Sequence, residues 1–567
     1  MSWFLGYYSK NNSPSQTRKI ILPDDTIFKI ETANYFLSAG GNKNIFFDAN
    51  GKEVFVVSGI GIDKNLMTVA DKNYWKLIAL PKILNHDFID GHYAGASITA
   101  DSFTFFTDPL GLREVFFFET DDKIYYSTRL DLILKLGKFE IDFNEFGSRW
   151  MLLNQISTRS IVKNIVRLNC GSIASIQNKE LNIKKFTWLP QESKKSISII
   201  EFSDLVKEFF LLSKENQKLS LSLSGGLDSR MLLSLLLNQR KLDWSAHTFS
   251  NSNSADEEVA RKLASHFNFS LNIIKPPKLS RKELFDFIKN YIANTYLTES
   301  AFNAVNLLGY DNLPDSEIII DGGFGEIWRR EFFLKLLLKN RKAVLDFDQL
   351  VVTKSMLLFR ADIFNKDTAN LMFDSSISHV YELMRKITVE GNILSENIID
   401  FFVVKSRLPN YYGAEQNRIE SKVSAIMPFA QYSLLNKLFS VSVDTRRNNK
   451  LIKSIIAENA PALRQFSLSK GNMTYPYFLN SFGKRIYAKV FSGLKKSEDS
   501  SVHNFVSVFK EFLFDSVNSS SFKNYQYYDH IKIKKLVDDI YEKNNMIKFN
   551  EFSWFLAFEI FRQTMEE

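Results

Sequence analysis

The hydrophobic period of the chain changes near residue 200, and that change constrains the fold more than any other feature. Before it, short runs alternate apolar and polar residues and close on Gly, Asp or Asn. Examples are Glu53-Val54-Phe55-Val56-Val57-Ser58-Gly59, Ser102-Phe103-Thr104-Phe105-Phe106-Thr107, and Glu114-Val115-Phe116-Phe117-Phe118 followed by Lys123-Ile124-Tyr125-Tyr126-Ser127. This is the pattern of half-buried strands. After it, residues 200–213 read as a helix and 218–223 as a buried strand. A glycine-rich turn follows, then a helix starting near Ser229 with Met231, Leu232, Leu235 and Leu236 apolar. Strand 244–249, helix 256–267 and strands 271–274 and 317–320 continue the series, and beyond about residue 330 the pattern is mostly helical. Strands alternating with helices predict an α/β fold with a doubly wound parallel sheet.

A chain of 567 residues is too long for one core. The expected division is 1–190 and 200–567, joined by the polar linker Pro190-Gln191-Glu192-Ser193-Lys194-Lys195-Ser196. Lys495-Lys496-Ser497-Glu498-Asp499-Ser500-Ser501 reads as an exposed loop. A net charge of +8 from 72 basic and 64 acidic residues is mild over this length; it suits a polyanion such as ATP and is no nucleic-acid signature. The single cysteine, Cys170, excludes an internal disulfide and a multi-cysteine zinc site, and fits a reducing compartment. The seven histidines show no metal-ligand spacing. The first residues lack a signal-peptide pattern, and no apolar run reaches the ~18 to 20 residues that span a bilayer. A cytoplasmic protein without a membrane partner is expected.

Ser224-Gly225-Gly226-Leu227-Asp228-Ser229 carries the clearest chemistry. Glycines let a ligand approach the backbone. Successive amide N–H groups after a strand form an anion-binding concavity, and the helix N-terminus adds partial positive charge. Ser224 and Ser229 offer hydroxyls. Asp228 would repel bare phosphate, but it makes sense as a Mg2+ ligand bridging to phosphate. The alternative is a tight turn in which Asp and Ser merely cap the helix.

The same string resembles the pyrophosphatase loop of the N-type ATP pyrophosphatases, specifically of the asparagine synthetase family. The resemblance runs nearly end to end. His247-Thr248-Phe249-Ser250 and Asp256-Glu257-Glu258-Val259-Ala260 look like the family's second strand and acidic helix start. Asp321-Gly322-Gly323-Phe324-Gly325-Glu326, Met427-Pro428-Phe429, Ser469-Lys470-Gly471 and Phe552-Ser553-Trp554-Phe555 look like its later segments. The resemblance implies an adenine nucleotide α-hydrolase-like synthetase domain with helical additions. In such a domain ATP adenylates a substrate carboxylate, pyrophosphate leaves, and an amine or ammonia attacks the acyl-adenylate. It assigns Ser224, Gly225, Gly226 and Ser229 to the pyrophosphate cradle and Asp228 and Glu326 to Mg2+. Leu223 and residues 249–251, including Phe249, fall to the nucleotide wall, Gly322 to a backbone contact, and Lys470 to transition-state stabilisation, against the plainer reading of Lys470 as a solvated surface residue. A homodimer or a biosynthetic-cluster partner fits the family.

Gly323 stands where asparagine synthetases have a Glu that serves the ammonia step. Members that form cyclic amides, the β-lactam synthetases and lasso-peptide cyclases, also lack it and use a Tyr/Glu pair. Here the candidates are Tyr381, Tyr411 or Tyr412 with Glu415 or Glu420, against the plainer reading of core tyrosines and surface glutamates. Amidation of sugar acids is a second alternative, and a non-catalytic ATP-binding scaffold or regulator is a third.

Asp108-Pro109-Leu110-Gly111-Leu112-Arg113, Gly91-His92-Tyr93-Ala94 and Tyr126-Ser127 resemble a class II glutamine amidotransferase domain, which implies an Ntn-type antiparallel α/β sandwich over residues 1–190. The nucleophilic Cys of that domain is replaced by Ser2 and its pocket Asn by Ser58, and no His-Arg-Arg segment lies between Glu31 and Asp48. The expectation is a domain without glutaminase activity that supports the other.

Overall fold

The computed structural model describes residues 1–566 except 12–19, 42, 65–67, 79, 84–88, 100–101, 169, 187, 189–196, 211–217, 240–241, 251–253, 315, 333–340, 347, 391–396, 472 and 492–499. The expected linker at 190–196, residue 251 of the expected nucleotide wall and residues 495–499 of the expected loop therefore lie outside the described residues. Ser500 and Ser501, read as part of that loop, instead open the helix Ser500–Val508.

The fold is mixed α/β, with antiparallel sheets before residue 190 and a parallel sheet after it. Six strands form the first antiparallel sheet, in the order Ile165–Leu168, Val115–Glu119, Lys123–Ser127, Trp3–Ser9, Tyr35–Gly40, Thr26–Glu31. The second runs Glu180–Lys184, Ile173–Gln177, Phe103–Thr107, Ile89–Ile98, Glu53–Asp63, Ile45–Asn50, with Thr68–Val69 added to Glu53–Asp63. Phe4, Leu37, Val56, Ala96, Phe105 and Phe117 cluster in one apolar core built from both sheets. The edge strand Thr26–Glu31 keeps the alternating burial expected of one wet face, whereas Tyr35–Gly40 beside it is buried throughout.

The parallel sheet has five strands in the order Leu271–Ile274, Trp244–Phe249, Lys218–Ser222, Glu317–Ile320, Ser424–Ile426. In chain order this is 3-2-1-4-5, so the direction of winding reverses between Lys218–Ser222 and Glu317–Ile320. Helices Leu227–Leu236 and Ala255–Phe267 supply two of the crossovers. The four longer strands match the sequence reading. The fifth was not anticipated; its three residues, Ser-Ala-Ile, carry no readable period.

The two parts share their cores. Ile60, Ile62, Leu110 and Leu112 belong to the same cluster as Leu221, Met231 and Leu463, and Trp3, Leu5 and Phe116 to the same cluster as Ile292, Ile319 and Phe555. The turn at 108–113 acts as a bolt across this junction. Asp108 accepts the backbone N–H groups of Leu110, Leu112 and Arg113 at 2.8–3.1 Å, which points Arg113 outward from the turn to Glu420 at 3.0 Å. His92 Nε2 meets the other Glu420 oxygen. Gly91 N–H donates to Gln431, Ser433 donates to Asp90, and Trp188 donates to Asn436 at 2.6 Å. An isolated surface pair is worth about 0–1 kcal/mol, but removing one partner of a buried pair costs about 3–5 kcal/mol. Arg113 and Glu420 are both about 1–2% exposed, so their pair belongs to the second class. This also corrects one alternative for an active-site base: Glu420 is committed to the junction.

Burial pushes the Glu420 carboxyl up to about 7, against Arg113, and burial, then Arg113, holds His92 well below 6.5. The two shifts oppose each other. A raised carboxyl contributes stability that is lost as pH climbs toward 7, and a depressed His contributes stability that is lost as pH falls below 6.5. Between pH 5 and 6.5 the folded pair and the unfolded pair each carry one proton, so the pair adds no slope there. Glu420→Gln removes that balance. The variant should be less stable throughout, and its deficit against wild type should narrow by about 1.5 kcal/mol between pH 5 and 6.5. Urea denaturation at both pH values checks this; a constant deficit means that the Glu420 carboxyl is not raised.

Candidate active site

The loops leaving the ends of Lys218–Ser222 and Glu317–Ile320 lie side by side at the reversal of strand order, the position at which open parallel sheets form a binding crevice. Leu223 N–H donates to His247 O at 2.8 Å and ends the strand, and Gly226 caps the helix Leu227–Leu236. The helix thus begins two residues earlier than its apolar pattern suggested. Ser224 Oγ lies 3.0 Å from Ser229 Oγ, and Ser229 also donates to Ser224 O, so the two hydroxyls clamp the loop. Gly226 N–H donates to Ser224 Oγ at 3.2 Å. Gly225 N–H donates at 2.8 Å to Asp256 Oδ1, at the start of the next helix. One amide of the expected cradle is therefore already held by a carboxylate. The first turn of the helix, whose N–H groups have no intrahelical acceptor, supplies the remaining donors.

The opposite loop, Asp321 to Glu326, packs tightly on the first. Asp321 accepts Gly323 N–H at 2.6 Å. A Cβ on Gly322 would lie 3.4 Å from Ser229 N, and one on Gly325 would fall 2.6 Å from Asp228 Oδ1. Glycine at 325 is what lets the second loop reach Asp228. Phe324 takes a left-handed φ of +68° although it is not glycine, and its fully buried ring packs against Phe332 and Tyr412. Such backbone strain concentrates at functional sites.

Asp228 Oδ2 accepts from Arg329 Nη2 at 2.6 Å, while Asp228 Oδ1 is buried and has no hydrogen-bond partner among the described residues. Burial pushes the Asp228 carboxyl up to about 6, opposed by Arg329 and reinforced by Glu326. Arg329 also pairs with Glu331, and Lys484 Nζ stands 3.4 Å from Glu331 Oε2. Burial works against the Arg329 charge, and Asp228, Glu331 and Glu326 outweigh it, raising its pKa. Glu326 accepts from Tyr412 Oη at 2.8 Å.

Lys470 arrives from 241 residues further along than Ser229 on a short hairpin, Leu468–Lys470 with Met473–Tyr475. The buried Arg230 donates to Phe466 O and Ser467 O, both at 2.7 Å, and Ser469 N–H donates to Gly225 O at 2.9 Å. Ser469 Oγ also donates to Asp256 Oδ1. Lys470 itself is exposed and lies near Lys484, whose ammonium is held low by burial, with Arg329 and Lys470 adding to the effect against Glu331.

The Ser224–Ser229 loop thus abuts the loop bearing Gly322 and Glu326, and the hairpin bearing Lys470 is held to Gly225 through Ser469 N–H. Leu223 differs from its expected role as a wall: its side chain is buried in the core. Phe249 packs at a tilt against Tyr310, with its ring against Gly309. Of the Tyr/Glu candidates, Tyr381 is exposed on the long helix Lys366–Glu390. Tyr411 and Tyr412 sit on a π-turn, Leu408–Tyr412, inside an otherwise α-helical stretch that contains Pro409. The Glu415 side chain is about 35% exposed, and what burial it has pushes the carboxyl up to about 7, against Arg418, with Asp321 and Glu299 adding to the shift. Sequence reasoning missed Arg329 and Glu331, and no spacing could have pointed to them.

Among the described residues no group of three or more His, Cys, Asp or Glu could hold a metal. Mg2+ does not require one, because it commonly takes one or two carboxylates and completes its shell with phosphate and water. The unpartnered Asp228 Oδ1 beside Glu326 fits that requirement.

No protein-family model matches the chain, and no curated protein matches it. Among solved structures it is similar to the U34-tRNA thiolase NcsA from Methanococcus maripaludis. That likeness has 12% identity, covers 38% of this chain and 88% of that one, and has a TM-score of 0.18. It is also similar to the glutamine phosphoribosylpyrophosphate amidotransferase from B. subtilis complexed with ADP and GMP. There the identity is 11%, with 52% of this chain and 63% of that one covered and a TM-score of 0.19. The chain thus spans less than two thirds of that amidotransferase. Likenesses of this size assign neither fold nor activity, and the site rests on its own geometry.

The hairpin makes the loop testable. A Cβ on Gly225 would overlap Ser469 Oγ and lie 2.6 Å from Ser469 Cβ. Gly225→Ala should therefore cost about 1–3 kcal/mol in urea denaturation, and under about 1 kcal/mol when made in a Ser469→Gly background. Equal costs in both backgrounds would place the strain elsewhere.

Proposed function

We propose that this chain is an ATP-dependent, AMP-forming amide ligase of the asparagine synthetase kind. The observation that carries the reading is the abutment of the Ser224–Ser229 loop and helix N-terminus on the Asp321–Glu326 loop at the sheet's reversal point, with the hairpin that bears Lys470 held to Gly225. In the proposed reaction a substrate carboxylate oxygen attacks the α-phosphorus of ATP, and the bond to the β-phosphate oxygen breaks. An acyl-adenylate and pyrophosphate result. An amine nitrogen then attacks the acyl carbon, loses a proton and expels AMP. The finer fold assignment belongs to the same reading: residues 1–190 as a degenerate Ntn-type sandwich and 200–567 as an adenine nucleotide α-hydrolase-like synthetase.

Each residue has a definite task in this scheme. The helix N-terminus and the hydroxyls of Ser224 and Ser229 bind the β- and γ-phosphates, and Lys470 offsets charge that grows on departing pyrophosphate. Asp228 and Glu326 would hold Mg2+, which when bound neutralises phosphate charge and fixes its geometry. Phe249 and the backbone after Leu223 border the nucleotide. Glu415 supports a second reading. A carboxyl pushed up to about 7, close to Asp321 and Tyr411, suits a base that takes a proton from the substrate's own amine, as in cyclisation.

Two outcomes test the scheme. Asp228→Ala should lower ATP-to-AMP turnover by about 100-fold or more, the equivalent of about 3 kcal/mol, in a pyrophosphate-release assay. Unchanged release would mean that Asp228 has no part in the chemistry. Glutamine should not serve as the nitrogen source. Ser2 is 1% exposed, and the Ser58 hydroxyl donates to Ser2 O at 2.9 Å and lies 3.1 Å from Ser2 Oγ. The purified protein should release no glutamate from glutamine, with or without ATP; steady release that disappears in Ser2→Ala would overturn this.

A further inference from the structure

Arg329 lies outside every role assigned above, yet it touches the carboxylate on which the proposed chemistry turns. Its guanidinium lies between two acids, Asp228 at 2.6 Å and Glu331, and its side chain is only 10% exposed. Glu331 is in turn steadied by Lys484. The result at Asp228 is asymmetric: Oδ2 is occupied by Arg329, and Oδ1 is left buried, unpartnered and pressed against Gly325, next to Glu326. A buried carboxylate oxygen without a donor costs about 1–3 kcal/mol. The contact with Arg329 holds the carboxylate by its other oxygen.

We infer that Arg329 is a positioning residue that locks Asp228 through Oδ2 and thereby presents Oδ1, together with Glu326, to a divalent cation carried by a nucleoside triphosphate. This rests on the reading of the crevice as an ATP site and deepens it. The chain from Lys484 through Glu331 and Arg329 to Asp228 is the outer layer of that cation site. Outer partners of this kind orient ligands, and their loss commonly costs about 10–100-fold in metal affinity. Arg329 also leaves one positive charge beside Asp228 before the cation arrives, which offsets the mutual repulsion of Asp228 and Glu326.

The test is Mn2+ binding to the full chain in the presence of ATP, followed by electron paramagnetic resonance and independent of turnover. Arg329→Gln should weaken Mn2+ binding about 10-fold or more, Arg329→Lys should recover most of the loss, and Asp228→Asn should be as weak as the Arg329→Gln/Asp228→Asn pair. Because Arg329→Gln leaves Glu331 with one partner fewer, Arg329→Gln/Glu331→Gln is measured alongside and should show the same weakening in a folded protein. Unchanged or tighter Mn2+ binding in the Arg329 variants would overturn the inference, as would independent, additive losses at Arg329 and Asp228. ATP binding by wild type is measured separately. If ATP binds and Arg329→Gln holds Mn2+ normally, the inference alone fails; if wild type binds neither ATP nor Mn2+, the functional reading fails with it.

Discussion

The pairing of Lys218–Ser222 with Trp244–Phe249 on one side and Glu317–Ile320 on the other governs the rest of the molecule. Because winding reverses there, the loops after the two central strands run in opposite directions and leave a crevice between them. The close approach of the neighbouring segments depends on what glycine lacks. A side chain at 225 would collide with Ser469, and one at 325 with Asp228. The hairpin bearing Lys470 is then held in place by backbone carbonyls on Arg230, a buried cation that donates to both Phe466 and Ser467.

Two buried charge clusters in this protein follow opposite logic. At the junction, both Glu420 oxygens are approached by basic side chains, one by Arg113 and one by His92. In the crevice, the Asp228 carboxylate is satisfied on one oxygen only. Breaking the first removes a contact worth kilocalories to the assembled fold. The second keeps an unmet demand in place beside the loop that faces the sheet's reversal point.

What the sequence made legible follows from how local each signal is. The strand, glycine turn and helix around Ser224–Ser229 are contiguous, so their pattern survives in one dimension. Strands 244–249, 271–274 and 317–320 are bounded runs of four to six residues and were placed correctly. Ser424–Ile426 is three residues set among helices and becomes a strand only because Glu317–Ile320 offers it an edge. The π-turn at 408–412 likewise leaves no mark except Pro409, which cannot donate an N–H. Arg329 meets Asp228 across 101 residues and Arg113 meets Glu420 across 307, distances over which spacing carries no information. Gly322, Glu326 and Lys470 rest on their likeness to a family's segments, and the packing of Gly322 against Ser229 became visible only in three dimensions.

The sharing of cores between the two parts has a consequence for biosynthesis. Residues 1–184 leave the ribosome before the segments that cover Ile60, Leu110 and Leu112, and that cluster also draws on Leu451 and Leu463. At about 5–20 residues per second, the intervening chain takes roughly tens of seconds to appear. For that interval the nascent antiparallel sheets present an apolar face with no permanent cover, and Arg113 awaits a carboxylate 307 residues downstream. The first part therefore matures as a client of the second, and the pace of translation through residues 200–460 sets how long it must be kept from aggregating.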